Sequence, residues 1–501
     1  MDTGGPQLTQ SVTRAYAHTP PKGGGWHDLE EHLRAVAQLA AAKAGKFGGE
    51  DLAYLAGMIH DVGKYNPAFQ KRLKDTHAGR VAERVEHAVY GALLALELGS
   101  PAAAPIVLGH HTGLPSRAQL QNALADPAAV EAWAAFRSLV PPSTAVAATK
   151  RRGLRIETRL EMFLRMVFSA LVDADYLDTE AHFDRLKADA RRNGERPGVA
   201  ELWPTLERDQ ERFAGKTGVV NEVRREVYEY AVEAARIGTR GVYRMAVPTG
   251  GGKTRSSVTF ALKHADEHGM DRVIVAVPFT SITDQTAAVY RLIFGAEAVL
   301  EHHSAVQARV TEPNKLATQN WDAPLVVTTT VQLLESLLSN RPSKCRKLHN
   351  ITDSVIILDE VQALPVHLLD TITDVLDELV RRYGCTVVLS TATQPPIRWA
   401  RDDVVDIVPR SVSEGHFARL KRVEYDLPDS PWSWDRVAAE IDAHDSAMVV
   451  VNTRADALAL LFQTSFQLSA NATSRNEPSL PAGKQAQLSD AEKTDPSSTT
   501  A

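Results

Sequence analysis

The chain has 501 residues, 44% of them apolar and 24% charged, with a formal net charge of −6. That length supports two or three soluble domains with large cores, and the charge excludes a globally basic coat for nucleic acid, though not a locally basic groove. Only two cysteines, Cys345 and Cys385, exclude a disulfide framework. No apolar run reaches the ~18 residues of a membrane span, and the opening MDTGGPQLTQ lacks a secretory apolar core, so a cytoplasmic location is expected.

Residues 1–24 are polar and are expected to be a flexible N-terminus. Residues 25–185 read as an all-α domain. Apolar positions recur at helical spacing over His32–Ala42, Asp51–Ile59, Val85–Leu98 and Leu160–Leu177, with no alternating strand pattern before residue 240. Histidines and aspartates collect at the ends of these helices. His60-Asp61 closes one in MIHDVGK, His32 opens the first, and His87 opens another. His110-His111 precede a Gly/Pro turn, and Asp173 and Asp175 lie in SALVDADYLDTE. Such groups are costly in a helical core unless paired or metal-bound. An adjacent His and Asp can serve two cations, with the carboxylate bridging, and two cations about 4 Å apart can clamp the attacking and leaving oxygens of a phosphodiester. Imidazole-rich ligation suits Mn, Fe, Co or Ni more than Mg. Lys64 stands where it can steady developing negative charge.

Residues 186–225 are charged and carry Gly194, Pro197, Gly198 and Pro204, and are expected to be a linker, although Leu202, Trp203 and Phe213 point to packing. From Tyr243 the grammar changes. Strands are expected at Tyr243–Val247, Arg272–Val277, Leu325–Val327, Ser354–Leu358, Thr386–Leu389 and Ala447–Val451, alternating with helices, which implies a parallel sheet covered on both faces. The first of these runs into VPTGGGKT. Gly250, Gly251 and Gly252 can curl backbone N–H groups around an anion, Lys253 supplies a charge to the β- and γ-phosphates, and Thr254 a hydroxyl to Mg²⁺. Pro248 and Thr249 complete a variant of the phosphate-binding loop that has Val247 in place of the usual first Gly. Downstream, Asp359-Glu360-Val361-Gln362 follows an apolar strand; Asp359 can hold Mg²⁺ and Glu360 can polarise the attacking water. Local basic clusters occur at Lys150, Arg151, Arg152 and Arg155, and at Arg341, Lys344, Arg346 and Lys347. The run from 464 to 501 is rich in Ser, Ala, Gln, Thr and Pro, too polar for a core, and is expected to be disordered.

Taken together, H…HDxGK…H…HH…DADYLDTE, a P-T-G-x-G-K-T loop and a D-E-x-Q box, in this order, resemble the CRISPR-associated HD nuclease–helicases of type I interference, over roughly residues 25 to 460. The resemblance implies a metal-dependent single-strand DNase domain (25–185) fused to a RecA-like ATP-binding helicase domain (226–400). It implies recruitment by an RNA-guided surveillance complex to an R-loop. It carries the metal ligands over to His32, His60, Asp61, His87, His110, His111 and Asp175, with His27 a rival for the first position and Asp173 for the last. PFTSITDQ (278–285) and VTTTVQLLESL (327–337) resemble the family's DNA-contacting motifs, and Ser390-Thr391-Ala392-Thr393 its coupling box. The family's second RecA-like domain and its late arginine box are not recognised; residues 401–463 are expected to be only its beginning, with a motor unable to unwind duplex efficiently. An HD nucleotide phosphohydrolase with a regulatory NTPase module, and a binding module that does not cut, are the competing readings.

Overall fold

The computed structural model describes residues 14–144, 160–193, 196–304, 316–392 and 404–462. Residues 1–13 of the N-terminus expected to be flexible, the cluster Lys150–Arg155, Thr393 of the coupling box and the tail expected to be disordered lie outside the described residues.

The N-terminal half is built of helices. Leu29–Ala44 opens on Asp28, whose carboxylate accepts the N–H groups of Glu30 and Glu31, and Lys43 lies in its last turn, so cap and end charges agree with the backbone dipole. It buries His32, Leu33, Val36 and Ala40 against Glu50–Ile59 and against Leu160–Phe183, the long helix that backs the domain. The helix expected over Val85–Leu98 begins only at Ala88 and runs to Glu97, with His87 as its N-cap. One expectation fails here. A two-stranded ribbon precedes the helices, β1 (Tyr16–His18) antiparallel to β2 (His27–Asp28). Strands of three and two residues are too short to show an alternating pattern.

The second half is a seven-stranded parallel sheet. Its strands are β3 (Val242–Ala246), β4 (Arg272–Val277), β5 (Val299–His302), β6 (Leu325–Thr329), β7 (Ser354–Asp359), β8 (Thr386–Thr391) and β9 (Val405–Asp406), in the order β5-β6-β4-β7-β8-β3-β9. Strands β5 and β9 carry no sequence signal of their own. Successive residues of β4 serve opposite faces, Ile274 and Ala276 one core, Val273, Val275 and Val277 the other. The first of these cores continues into the N-terminal helices, so the two halves share apolar packing.

The stretch 186–225 is largely helical. Val199–Gln210 and the start of Val219–Ile237 place Val199, Leu202, Trp203, Leu206 and Val223 in the core on the sheet's second face. Residues 404–421 also join this body: β9 pairs in parallel with β3, and Ile407, Val408 and Leu420 enter the same core. From Arg422 the chain forms a separate unit whose clearest element is the helix Trp434–Asp442. Ala447–Val451 is not a strand there, and most of its side chains are exposed. No described helix is long and apolar enough to cross a membrane.

Candidate functional site

Four helix ends and one helix face meet at Asp61. His60 ends the Glu50–Ile59 helix, and Asp61 turns into the short 3₁₀ segment Val62–Tyr65. Gly63 makes this possible, because a Cβ there would lie 2.1 Å from the carbonyl oxygen of His87. Its bare backbone lets the His87 turn press against the His60-Asp61 turn. Asp61 Oδ2 lies 3.4 Å from Nε2 of both His32 and His60, and Oδ1 lies 3.2 Å from His87 Nε2 and 3.4 Å from His110 Nε2. Asp175 Oδ1 stands 3.6 Å from His32 Nε2 and 3.8 Å from His60 Nε2. His111 Nε2 is 2.9 Å from His87 Nε2. The other six expected ligands are therefore gathered around the buried Asp61 carboxylate.

The hydrogen bonds on the far side of each ring fix what the near side offers. His60 Nδ1–H donates to the Gly57 carbonyl at 2.8 Å, His110 Nδ1–H to the Val107 carbonyl at 2.6 Å, and His32 Nδ1–H to Asp178 Oδ2 at 2.6 Å. Each Nε2 is then a lone pair aimed at carboxylate oxygens. His32, His60 and His110 Nε2 and Asp61 Oδ1 are all buried without a hydrogen-bond partner. Acceptors facing acceptors in a dry site call for a cation. One cation is supplied by Lys64, whose Nζ is 2.6 Å from Asp61 Oδ2 and donates to the Ala17 carbonyl at 3.2 Å. The surplus of negative charge also marks the titration of the site. Burial pulls the His60 imidazole down, but without a metal Asp61 and Asp175 outweigh it and raise it to about 10, so a cation binding here would take the place of the Nε2 proton. Burial pushes Asp61 up, yet Lys64 and His60 hold it well below the carboxylate range. Burial keeps His110 low and brings His111 to about 3, leaving both neutral and able to ligate. The donor set fits divalent transition metals, with His32, His60, Asp61 and Asp175 on one side and Asp61, His87, His110 and His111 on the other.

The two rivals are placed elsewhere. His27 lies one layer out, with its Nε2 3.4 Å from Asp178 Oδ2. Asp173, fully buried, pairs with Lys43 of the first helix at 2.8 Å and, across to the sheet domain, with Arg346 at 2.9 Å. Arg346 and Lys347 are buried at this junction and Lys344 pairs with Glu335, so the second basic cluster is not an open groove. Asp178, which orients His32, was not among the expected residues; its signal is its place three residues after Asp175 on the same helix.

At the other site, Gly250 and Gly252 take φ values of 86° and 89°, in the left-handed range, and Gly252 caps the helix Lys253–Glu267. The Pro248 carbonyl accepts Gly251 N–H at 2.9 Å, closing the loop. Lys253 Nζ donates to Glu360 and lies 3.2 Å from Asp359 Oδ1. Burial raises the Glu360 carboxyl, but Lys253 and Gln362 bring it below its ordinary value. Ser390 donates to Asp359 at 2.9 Å and Thr391 to Gln362 at 2.7 Å, tying the coupling box to the D-E-x-Q box. A cleft of about 730 Å³ opens beside Thr249, Lys253, Thr254 and Glu360, and Gln210, Phe213 and Tyr228 line its far wall. Arg224, absent from the sequence reading, donates to the Gly250 carbonyl at 2.9 Å.

Comparison with known proteins finds a known domain family in each half of the chain. Residues 29–135 match the HD domain family and residues 226–400 the DEAD/DEAH box helicase family. The CRISPR-associated nuclease/helicase Cas3 of Haloferax volcanii is 27% identical over 434 residues, covering 68% of this chain and 45% of that relative. Along the chain an HD domain is followed by a DEAD/DEAH box helicase domain. The chain's fold is shared with crystal structures of T. fusca Cas3. The Cas3-ATP structure aligns with a TM-score of 0.54 at 17% identity, over 83% of this chain and 53% of the other. The Cas3-ADP structure gives 0.51 at 18% identity, over 75% and 50%. The chain spans about half the length of these relatives. An HD domain implies divalent-metal binding and a DEAD/DEAH box domain implies ATP with Mg²⁺.

Proposed function

We propose that this chain is a nuclease–helicase of type I CRISPR interference, acting in the cytoplasm against foreign DNA. Its HD half is a metal-dependent single-strand DNase and its RecA-like half an ATP-dependent DNA helicase core. The observation that carries the reading is the ring of unpartnered imidazole lone pairs closing on Asp61. The name of the Haloferax relative supports the same activities.

In this reading His32, His60, Asp61, His87, His110, His111 and Asp175 hold two divalent transition metals, from Mn, Fe, Co or Ni. When bound, such a pair supplies Lewis acidity toward phosphate oxygens and lowers the pKa of a water. Asp61, central to the set, serves both positions. Asp178 fixes His32 in the tautomer that offers Nε2. Lys64, buried against Asp61, keeps its ammonium beside the reacting phosphate and offsets developing charge. At the second site the loop from Pro248 to Gly252 cradles phosphates, and Lys253 leaves Glu360 to meet them. Thr254 and Asp359 hold Mg²⁺, and Glu360 orients the attacking water. Phe279, exposed in the loop after β4, and the Thr329–Leu338 segment after β6 would contact the DNA strand. An RNA-guided surveillance complex presenting an R-loop is the expected partner.

The test is a substrate panel. Purified protein with Mn²⁺, Co²⁺ or Ni²⁺ should degrade circular single-stranded DNA and spare nucleoside mono- and triphosphates at the HD site. Turnover of small nucleotides without DNA cleavage would replace this reading with a nucleotide phosphohydrolase.

A further inference from the structure

We propose that His18 and His27 form an additional divalent-transition-metal position beside the HD centre, with Asp178 orienting His27 from behind. The proposal rests on the geometry of the β1–β2 ribbon and is independent of the reaction at the HD centre. The ribbon sets His18 opposite His27 in register, and their Nδ1 atoms are 3.1 Å apart. Two ligands at about 2.1 Å from one cation, subtending 90–110°, lie roughly 3.0–3.4 Å from each other. His18, His27 and His32 each present a nitrogen within 4.8 Å of the others.

The outer nitrogens follow the same logic. A metal-binding imidazole gives one nitrogen to the metal and the other N–H to a carboxylate. His27 Nε2 lies 3.4 Å from Asp178 Oδ2, the same oxygen that takes His32 Nδ1–H at 2.6 Å. One carboxylate therefore backs two imidazoles, His32 toward the HD centre and His27 toward His18. The His27 ring is also held flat against His182, with centroids 4.4 Å apart and planes 10° apart. His182 itself is committed elsewhere, its Nε2 donating to the Thr19 carbonyl at 3.0 Å. Without a cation the two Nδ1 atoms share a single hydrogen. With one, both become ligands, and water or a phosphate oxygen completes the coordination. The chemistry suits Mn²⁺, Co²⁺, Ni²⁺ or Zn²⁺.

The test counts metal on the full chain. Protein is equilibrated with Co²⁺ or Ni²⁺, desalted, and analysed for metal per chain and for Co²⁺ visible absorption. The wild type should hold one equivalent more than His18→Gln/His27→Gln, a variant whose amides can keep the ribbon bonded. Asp61→Ala, which disables the HD centre, should retain an equivalent that vanishes when His27→Gln is added. Equal metal content in wild type and His18→Gln/His27→Gln, with both folded by circular dichroism, overturns the proposal and leaves the contact a strut between two strands. An Asp61→Ala chain that binds no metal also overturns it.

Discussion

Asp173→Ala tests how the two halves are joined, and it separates Asp173 from Asp175, the proposed metal ligand two residues away. Asp173 is fully buried, and its carboxylate meets Lys43 at 2.8 Å and Arg346 at 2.9 Å, with His349 Nε2 3.6 Å away. Arg346 and Lys43 have side chains only 7% and 20% exposed, so removal of the carboxylate strands two poorly solvated cations. Breaking a buried pair from one side typically costs roughly 3–5 kcal/mol, against about 1 kcal/mol or less for a surface pair. The expected result is a loss in the upper range on urea unfolding, followed by tryptophan fluorescence. Trp321 is a suitable reporter because it is buried and lies over Lys347 at this junction. Metal binding at the HD centre should persist in the folded fraction. Asp175→Ala should show the reverse, with metal affinity lost and the junction intact. A destabilisation by Asp173→Ala below about 1 kcal/mol would refute the buried-network argument.

Three further outcomes are expected. Lys253→Ala should weaken binding of a fluorescent ATP analogue and leave ATP-independent cutting of single strands unchanged; loss of that cutting would show that the two sites are not separate. Gly63→Ala, whose methyl would collide with the His87 carbonyl, should lower both the melting temperature and the affinity for Co²⁺, since overpacking typically costs about 1–3 kcal/mol; unchanged values would refute the close approach. Acidification should weaken the junction in two stages. Burial holds His349 neutral, well below the usual imidazole value, so its contribution is present above about pH 6.5 and is lost as pH falls. Burial raises Asp173, but Lys43 and Arg346 depress it further, so its contribution is present above about pH 4 and is lost below it. His349→Gln should remove the upper stage in a pH series of urea midpoints.

Much of this architecture is legible in the chain itself, and the exceptions share a physical cause. Four central strands, β4, β6, β7 and β8, are short β-branched runs buried on both faces, and they begin where the sequence indicates. β5 and β9 are edge elements of four and two residues whose pairing depends on partners far along the chain. The stretch 186–225 reads as a connector because charge and proline dominate it. Its buried face is a stripe of Val199, Leu202, Trp203 and Leu206, and Pro204 is tolerated inside that helix. The metal-ligand candidates were visible because histidine and aspartate at helix ends are unusual in a core. His27 against His32 and Asp173 against Asp175 could not be decided from residue type, because what separates them is direction. His32 faces Asp61 and Asp175, whereas Asp173 faces Lys43 beside it and Arg346 across the junction. Asp178 escaped notice because its role is carried by one hydrogen bond to a residue far away in sequence.

The central claim is that Asp61 and the imidazoles around it hold the metals that cut DNA. The direct measurement is cleavage of circular single-stranded DNA by wild type and Asp61→Ala, in Mn²⁺, Co²⁺ or Ni²⁺ and again in excess EDTA, with both proteins shown to be folded. The account predicts cutting by the wild type with metal, none in EDTA, and none by Asp61→Ala under any condition. Cutting by Asp61→Ala at the wild-type rate, with metal present, would contradict it.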